Sequence, residues 1–273
     1  MISFTHAGKL GDILYSLYFC KELSASFQYD KFNYNLLINK KPSDFCKDVS
    51  GEIMLSRKSA EFIKPLLENL PFIQDVTIVE KSSRAENNVD LNLFRSGAIN
   101  QFGCEIREWY YTFCKRTLPQ EFWMPLISAK PNPKYKDKIL FTLTERNVNV
   151  MVDYKQLEQF REHLTFIGTV REHCAFQEKY FDLERAELTK EDNLLTVAQY
   201  LAGAKGYMAN QSGFFALAEL MKINRILLSP EWVEYEDGRV KYGPKNNLPL
   251  GGWCNTVSIT RKMVDAVREL LEK

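Results

Sequence analysis

The first twelve residues constrain the fold of this chain more than any other segment. Residues 1–12 read as a short buried strand, a loop containing glycine, and an aspartate at the start of an apolar helix. In open parallel sheets, ligands bind beyond the carboxyl ends of the strands, because loop amides and helix N-termini converge there. A second turn of this kind, residues 207–213, lies in the other half of the chain. Two such strand ends, one in each half, indicate an enzyme with a cleft between two domains.

The hydrophobic pattern alternates between strand and helix periods along the chain, as a parallel sheet requires. With 273 residues, the chain exceeds the roughly 100–200 residues of one domain. Residues 128–138 are polar and basic and contain two prolines, as a linker does. We therefore predict an α/β protein with two domains, residues 1–130 and 138–273, and keep a single α/β domain as the alternative. The predicted helices cover residues 13–23, 60–70, 193–202 and 214–221, and two more begin at Asp153 and after Thr260. The predicted strands cover residues 35–38, 76–79, 90–93, 139–143, 206–209 and 225–228, with one more around Phe166.

The charge and cysteine content exclude several classes of protein. There are 36 basic and 35 acidic side chains, whereas a dedicated nucleic-acid-binding protein usually carries a basic excess. The six cysteines are scattered without metal-ligand spacing and read as reduced, mostly buried thiols, and no metal site is predicted. We find no signal peptide and no apolar run of about 20 residues. We therefore expect a cytoplasmic protein, with peripheral association with a membrane left open.

Two segments resemble a known family. Residues 11–17, Gly-Asp-Ile-Leu-Tyr-Ser-Leu, resemble the N-terminal signature of the ADP-heptose:lipopolysaccharide heptosyltransferases, which are family 9 glycosyltransferases of the GT-B fold. Residues 197–220 are similar to the donor-site segment of that family, with weaker similarities at residues 70–76 and 242–246. The resemblance implies two Rossmann-like domains with parallel sheets facing across a cleft. It also implies a nucleotide-sugar donor, a glycan, lipid-linked or other hydroxyl acceptor, and neither a cofactor nor a metal.

The same resemblance implies that Asp12 is the general base. Inverting sugar transfer needs a base for the acceptor proton and a cradle that stabilises the departing diphosphate. From the residues alone, Asp12 can equally be a helix cap. The predicted cleft loop around it comprises His6, Gly8, Lys9 and Gly11. His6 either points into the cleft or packs within the strand.

The donor site is predicted at the second turn. Backbone amides of Ser212 and Gly213 at a helix start can hold phosphate oxygens, and glycine lets a phosphate approach closely. The alternative is an N-capping serine followed by a turn glycine. Arg146 follows a strand and can offer several donors to a phosphate, or it can be solvated. The predicted donor-binding residues are Thr144, Arg146, Asn210, Gln211, Ser212, Gly213 and Lys241.

Two positions depart from the family pattern. Gln211 stands where the family has an acidic residue, and Ala216 stands where a histidine follows. We therefore predict a nucleotide-sugar donor without specifying its base or its sugar. A noncatalytic nucleotide-sugar-binding module on the same scaffold and a nucleotide-sugar epimerase-like enzyme remain as alternatives.

Overall fold

The chain forms two compact units, each with its own parallel sheet. The computed structural model describes residues 1–40, 54–81, 86–92, 110–111, 124–145, 148–189, 191–210, 212–228, 233–234, 240–241, 254–257 and 260–273. The first unit comprises Met1–Phe122 with Asp192–Thr196, and the second comprises Trp123–Glu191 with Val197–Lys273.

The first unit contains a four-stranded sheet in which all paired strands are parallel. In spatial order its strands are β3 (Ile73–Val79), β2 (Phe32–Leu37), β1 (Ser3–His6) and β4 (Asn88–Asp90), with helix α1 (Leu10–Ser26) after β1 and α2 (Arg57–Glu68) before β3. Along β2, the buried Phe32, Tyr34 and Leu36 alternate with the half-buried Asn33 and Asn35. This period of two follows from the pleat of a strand and gives the sheet one apolar face.

Helix α1 is apolar around most of its surface and packs into the core, where Ile13, Leu14 and Leu17 are fully buried. It ends just before Gln28, whose φ of 62° lies in the left-handed region. The Gln28 amide bonds back to the Ala25 carbonyl at 2.9 Å, which satisfies one of the carbonyls at the helix end.

The second unit contains a five-stranded parallel sheet. In spatial order its strands are β11 (Cys254–Val257), β8 (Arg225–Leu228), β7 (Gly206–Ala209), β5 (Ile139–Thr142) and β6 (Leu164–Phe166). The helices are α3 (Val170–Lys179), α4 (Leu194–Gly203), α5 (Gly213–Leu220) and α6 (Thr260–Glu272), with 3₁₀ segments at Pro133–Tyr135 and Tyr154–His163 and a short antiparallel pair, β9 (Val233–Glu234) and β10 (Val240–Lys241). The strand residues are completely buried in β5 to β8, as expected for a parallel sheet covered on both faces.

The predicted α/β class with parallel sheets is confirmed, and β7 and β8 have the predicted bounds. The helix predicted from Asp153 is a 3₁₀ segment. Helix α3 was missed because Phe176 is its only buried residue, so the apolar stripe is faint. Helix α4 is capped by Asn193, whose side-chain oxygen accepts the Leu195 amide at 3.0 Å. Within the described ranges, no helix is long and apolar enough to cross a membrane.

Candidate functional site

The turn between β1 and α1 is organised around the His6 imidazole, which is fully buried. Nδ1 accepts a hydrogen bond from Gly8 N–H at 2.7 Å, and Nε2 lies 2.7 Å from Tyr110 Oη. That hydroxyl donates to the Asp12 carbonyl oxygen at 3.0 Å. An amide can only donate and a carbonyl can only accept, so Nδ1 is unprotonated and Nε2–H donates to Tyr110. His6 is therefore the neutral Nε2–H tautomer.

Gly8 allows this close approach of backbone and imidazole. A Cβ at this position would lie 2.3 Å from His6 Cε1 and 2.7 Å from Asp12 Cβ, well inside van der Waals contact. The turn can therefore take this shape only with glycine at position 8.

Asp12 lies in the first turn of α1 and is only 5% exposed. Its Oδ2 accepts the Lys9 amide at 2.9 Å, which is the carboxylate half of a capping box. A lysine ammonium cannot accept the reciprocal bond, so the box is not closed from the Lys9 side. The capping role foreseen as the alternative for Asp12 is thus present. It does not exclude a role as base, because a carboxylate has several acceptor positions.

The same turn is tied to the end of β4. Asn92 Oδ1 accepts the Ala7 amide at 2.7 Å, and the Asn92 amide groups bond in turn to Asp90 Oδ1. Asn92 and Tyr110 are the two residues of this site that the sequence interpretation missed. Asn92 lies within the strand predicted over residues 90–93. Tyr110 lies at the three- and four-residue apolar spacing of a predicted helix, for which core packing is the default interpretation.

In the second unit, Asn210 joins the ends of β5 and β7. Its Oδ1 accepts from the Thr144 amide at 3.0 Å and from Thr144 Oγ1 at 3.2 Å. Its Nδ2 donates to the Thr144 carbonyl at 2.9 Å. The fully buried Asn210 side chain thus extends the hydrogen bonding between β5 and β7 beyond their last residue pair, Thr142 and Ala209. The structure therefore brings these two predicted donor-site residues together.

Helix α5 begins directly after this connection. Ser212 is its N-cap, and the Ser212 hydroxyl accepts the Phe215 amide at 3.1 Å, as foreseen in the capping alternative. The first turn, which begins at Gly213, carries no acidic residue. At the neighbouring N-terminus of α3, by contrast, the Glu172 carboxylate already closes a capping box with Thr169. Of these two helix starts, α5 therefore favours an anion more strongly.

Burial raises the pKa of two side chains, one in each unit. Burial raises the pKa of Tyr207, the β7 residue whose ring lies 6.5 Å from that of Phe215. Burial also raises the pKa of the Cys20 thiol in α1, and Cys20 is one of the predicted buried cysteines.

The remaining predicted site residues are distributed as follows. Gly11 is the second residue of α1, next to Asp12, and Lys241 lies in β10, paired with Val233 of β9. Arg146 and Gln211 fall outside the described residues. Among the residues that the structure describes, no three His, Cys, Asp or Glu side chains are grouped as a metal site requires.

Comparison with solved structures relates this arrangement to known proteins. A glycosyl transferase family 9 protein from Veillonella parvula DSM 2008 superposes with a TM-score of 0.62 at 11% identity, covering 99% of this chain and 97% of that one. The ADP-heptose lipopolysaccharide heptosyltransferase II of E. coli gives a TM-score of 0.61 at 13% identity, covering 99% and 98%. This chain has a glycosyltransferase fold.

A third structure with this glycosyltransferase fold, E. coli heptosyltransferase WaaC with ADP, has a TM-score of 0.57 at 12% identity and covers 99% of both chains. No protein-family model and no curated protein matched the sequence. The predicted fold class is therefore confirmed by structural similarity, at a sequence identity of 11–13%.

Proposed function

We propose that this protein is a glycosyltransferase that moves a sugar from a nucleotide-sugar donor to an acceptor hydroxyl without a metal ion. The observation that carries the proposal is the glycosyltransferase fold over 99% of the chain. Among the proteins with this fold, WaaC was solved with ADP and with ADP-2-deoxy-2-fluoro heptose. A nucleoside diphosphate sugar is therefore the donor class to test first.

The proposed donor site is the start of α5. Amides in the first turn of a helix are oriented toward an incoming anion, and the positive end of the helix dipole stabilises a diphosphate. The Asn210–Thr144 connection fixes the strand end from which this turn departs. The proposed donor site also includes Arg146, Gln211 and Lys241. Their cationic and amide groups would neutralise the charge of the leaving diphosphate, so that no metal ion is needed.

The proposed reaction uses Asp12 as general base. The acceptor hydroxyl gives its proton to the Asp12 carboxylate as its oxygen attacks the anomeric carbon of the donor. The bond from that carbon to the diphosphate oxygen breaks, and the electron pair leaves with the nucleoside diphosphate. Because Asp12 Oδ2 is held by the Lys9 amide, the carboxylate keeps one orientation before substrate binds.

A specific observation also favours the noncatalytic alternative. Asp12 is 5% exposed and its carboxylate caps its own helix, which a purely structural aspartate would also do. A binding module on this scaffold would take up the donor at α5 and leave it intact.

The Asp12→Asn variant separates the two functions. The asparagine oxygen can still accept the Lys9 amide, so the cap is kept while the basic carboxylate is lost. We expect the release of nucleoside diphosphate from a nucleotide sugar, with water or a hydroxyl acceptor, to fall by at least about 10²-fold. The rise in Tm that the donor induces should be retained. The activity should not change in the presence of EDTA.

A matched control is Asp153→Asn, which makes the same change at the cap of a 3₁₀ segment in the second unit. It should keep full turnover. An active Asp12→Asn variant would refute the role of the base. A wild-type protein whose Tm rises with a nucleotide sugar that is never consumed would establish the noncatalytic module instead.

A further inference from the structure

A chain of hydrogen bonds connects the end of β1 to the backbone of Asp12, and we name it the His6 bridge. It runs from Gly8 N–H through the His6 imidazole and the Tyr110 hydroxyl to the Asp12 carbonyl oxygen. We propose that His6 and Tyr110 are positioning residues for sugar transfer: they hold Asp12 in place without touching the substrate. The proposal rests on the function proposed above, in which Asp12 is the base.

Every member of the His6 bridge has a defined donor or acceptor role. The amide at one end can only donate and the carbonyl at the other can only accept, so the two hydrogens between them have one consistent placement. Both side chains are buried, since His6 is fully buried and Tyr110 is only 2% exposed. Buried polar groups that lose a partner force the structure around them to rearrange. The bridge therefore resists displacement of the turn.

A displaced turn would also displace the carboxylate. Asp12 Oδ2 is bound to the Lys9 amide of that turn, while its carbonyl oxygen is bound to Tyr110. Backbone and side chain of Asp12 are thus held from two sides. A general base must stay within hydrogen-bonding reach of the proton it removes, and a shift of about 1 Å can cost on the order of 10²-fold in rate.

Apolar packing alone does not account for His6 and Tyr110. The Tyr110 ring stacks on Phe19 at 5.9 Å, and the adjacent Tyr111 meets the same ring edge-on at 5.5 Å. Both tyrosines fill the same core, but only the Tyr110 hydroxyl connects His6 to Asp12. This gives a variant and a control that differ by one position.

The test uses Tyr110→Phe, with Tyr111→Phe as the matched control, in the full-length protein. The first readout is ¹⁵N NMR of histidine-labelled protein, which has only three histidines, so that His6→Asn assigns the His6 signals. We expect wild-type His6 to be the Nε2–H tautomer. Tyr110→Phe should shift the Nε2 signal, and Tyr111→Phe should not.

The second readout is the release of nucleoside diphosphate from the nucleotide sugar that the wild type consumes. Tyr110→Phe should lower kcat by about 10- to 100-fold, whereas KM for the donor changes by less than about twofold, since the donor site is formed by other residues. Tyr111→Phe should keep kcat. If both bridge residues act through Asp12, the His6→Asn/Tyr110→Phe double variant should lose no more than the worse single variant.

Each outcome has a defined meaning. Wild-type kcat in Tyr110→Phe, or an equal loss in Tyr110→Phe and Tyr111→Phe, overturns the positioning role and leaves the transferase function intact. A wild-type protein that consumes no nucleotide sugar refutes the proposed function, and the positioning role is then refuted with it. An Nδ1–H tautomer at His6 refutes the bridge itself.

Discussion

Replacing Asn210 with aspartate exchanges one NH₂ group for an oxygen atom at a fully buried position. The wild-type side chain exchanges three hydrogen bonds with Thr144: two accepted by Oδ1 and one donated by Nδ2. The Asn210→Asp variant can keep both accepted bonds. It loses the donated bond and sets a carboxylate oxygen about where Nδ2 stood, 2.9 Å from the Thr144 carbonyl oxygen.

The expected cost follows from these contacts. Loss of one hydrogen bond contributes about 1 kcal/mol, and a buried polar group that loses its partner adds roughly 1–3 kcal/mol. We therefore expect Asn210→Asp to lower the free energy of unfolding by about 2–4 kcal/mol at pH 8. The change is isosteric, so no cavity term is involved.

The penalty should depend on pH. Burial raises the folded-state pKa of the introduced carboxyl above the usual value of about 3.9, and the protonated carboxyl can again donate to the Thr144 carbonyl. A raised folded pKa means that stability is retained at low pH and lost as pH rises through that pKa. Relative to wild type at the same pH, the penalty should shrink to about 1 kcal/mol near pH 4. Urea unfolding followed by far-UV circular dichroism measures it at each pH.

Asn193→Asp is the matched control. Asn193 also accepts amide hydrogen bonds, from Leu195 at 3.0 Å and Thr196 at 3.3 Å, but as the cap of α4. A carboxylate serves as well there and suits the helix dipole, so stability should be unchanged or slightly raised. Equal effects at the two positions, or a penalty at position 210 that does not vary with pH, would refute the reasoning.

Two further predictions concern the first unit. Gly8→Ala should destabilise it by about 2–4 kcal/mol, because the new Cβ would overlap the His6 ring and break the Gly8–His6 hydrogen bond. Differential scanning calorimetry measures the fall in Tm, and an unchanged Tm would contradict the described turn. Gln28→Gly should stabilise the protein by about 0.5–1 kcal/mol, because residue 28 is exposed and has a φ of 62°, which glycine adopts without strain; a higher urea midpoint at constant m supports it, and a lower midpoint counts against it.

Much of the candidate site was accessible from local pattern. The turn at residues 7–9 and the start of α5 both follow short buried strands, and each carries the glycine or capping residue that such a turn needs. These signals depend on neighbours in sequence, as helix and strand propensities do. The capping alternatives for Asp12 and Ser212 were predictable for the same reason, since a cap joins residues two or three positions apart.

The partners of His6 and Asn210 were not accessible in this way. His6 and Tyr110 are 104 positions apart, and Thr144 and Asn210 are 66 apart. A contact between Asn210 and Thr144 depends on β7 lying next to β5, and the hydrophobic periods along the chain do not specify which strands are neighbours. The spacing around Tyr110 indicated only an apolar helix face. That pattern accounts for the buried ring of Tyr110 but gives no indication of the partners of its hydroxyl.

The sequence by itself determined the alternation of strands and helices, the two glycine-containing turns and the parallel α/β class, because period, capping and turn chemistry are set by residues within a few positions of one another. The tertiary structure alone decided the strand order of each sheet, the tautomer of His6, the burial of Asp12 and the clamp between Thr144 and Asn210. Those features need groups that are distant in sequence to meet at hydrogen-bonding distance. Only the folded chain brings them there.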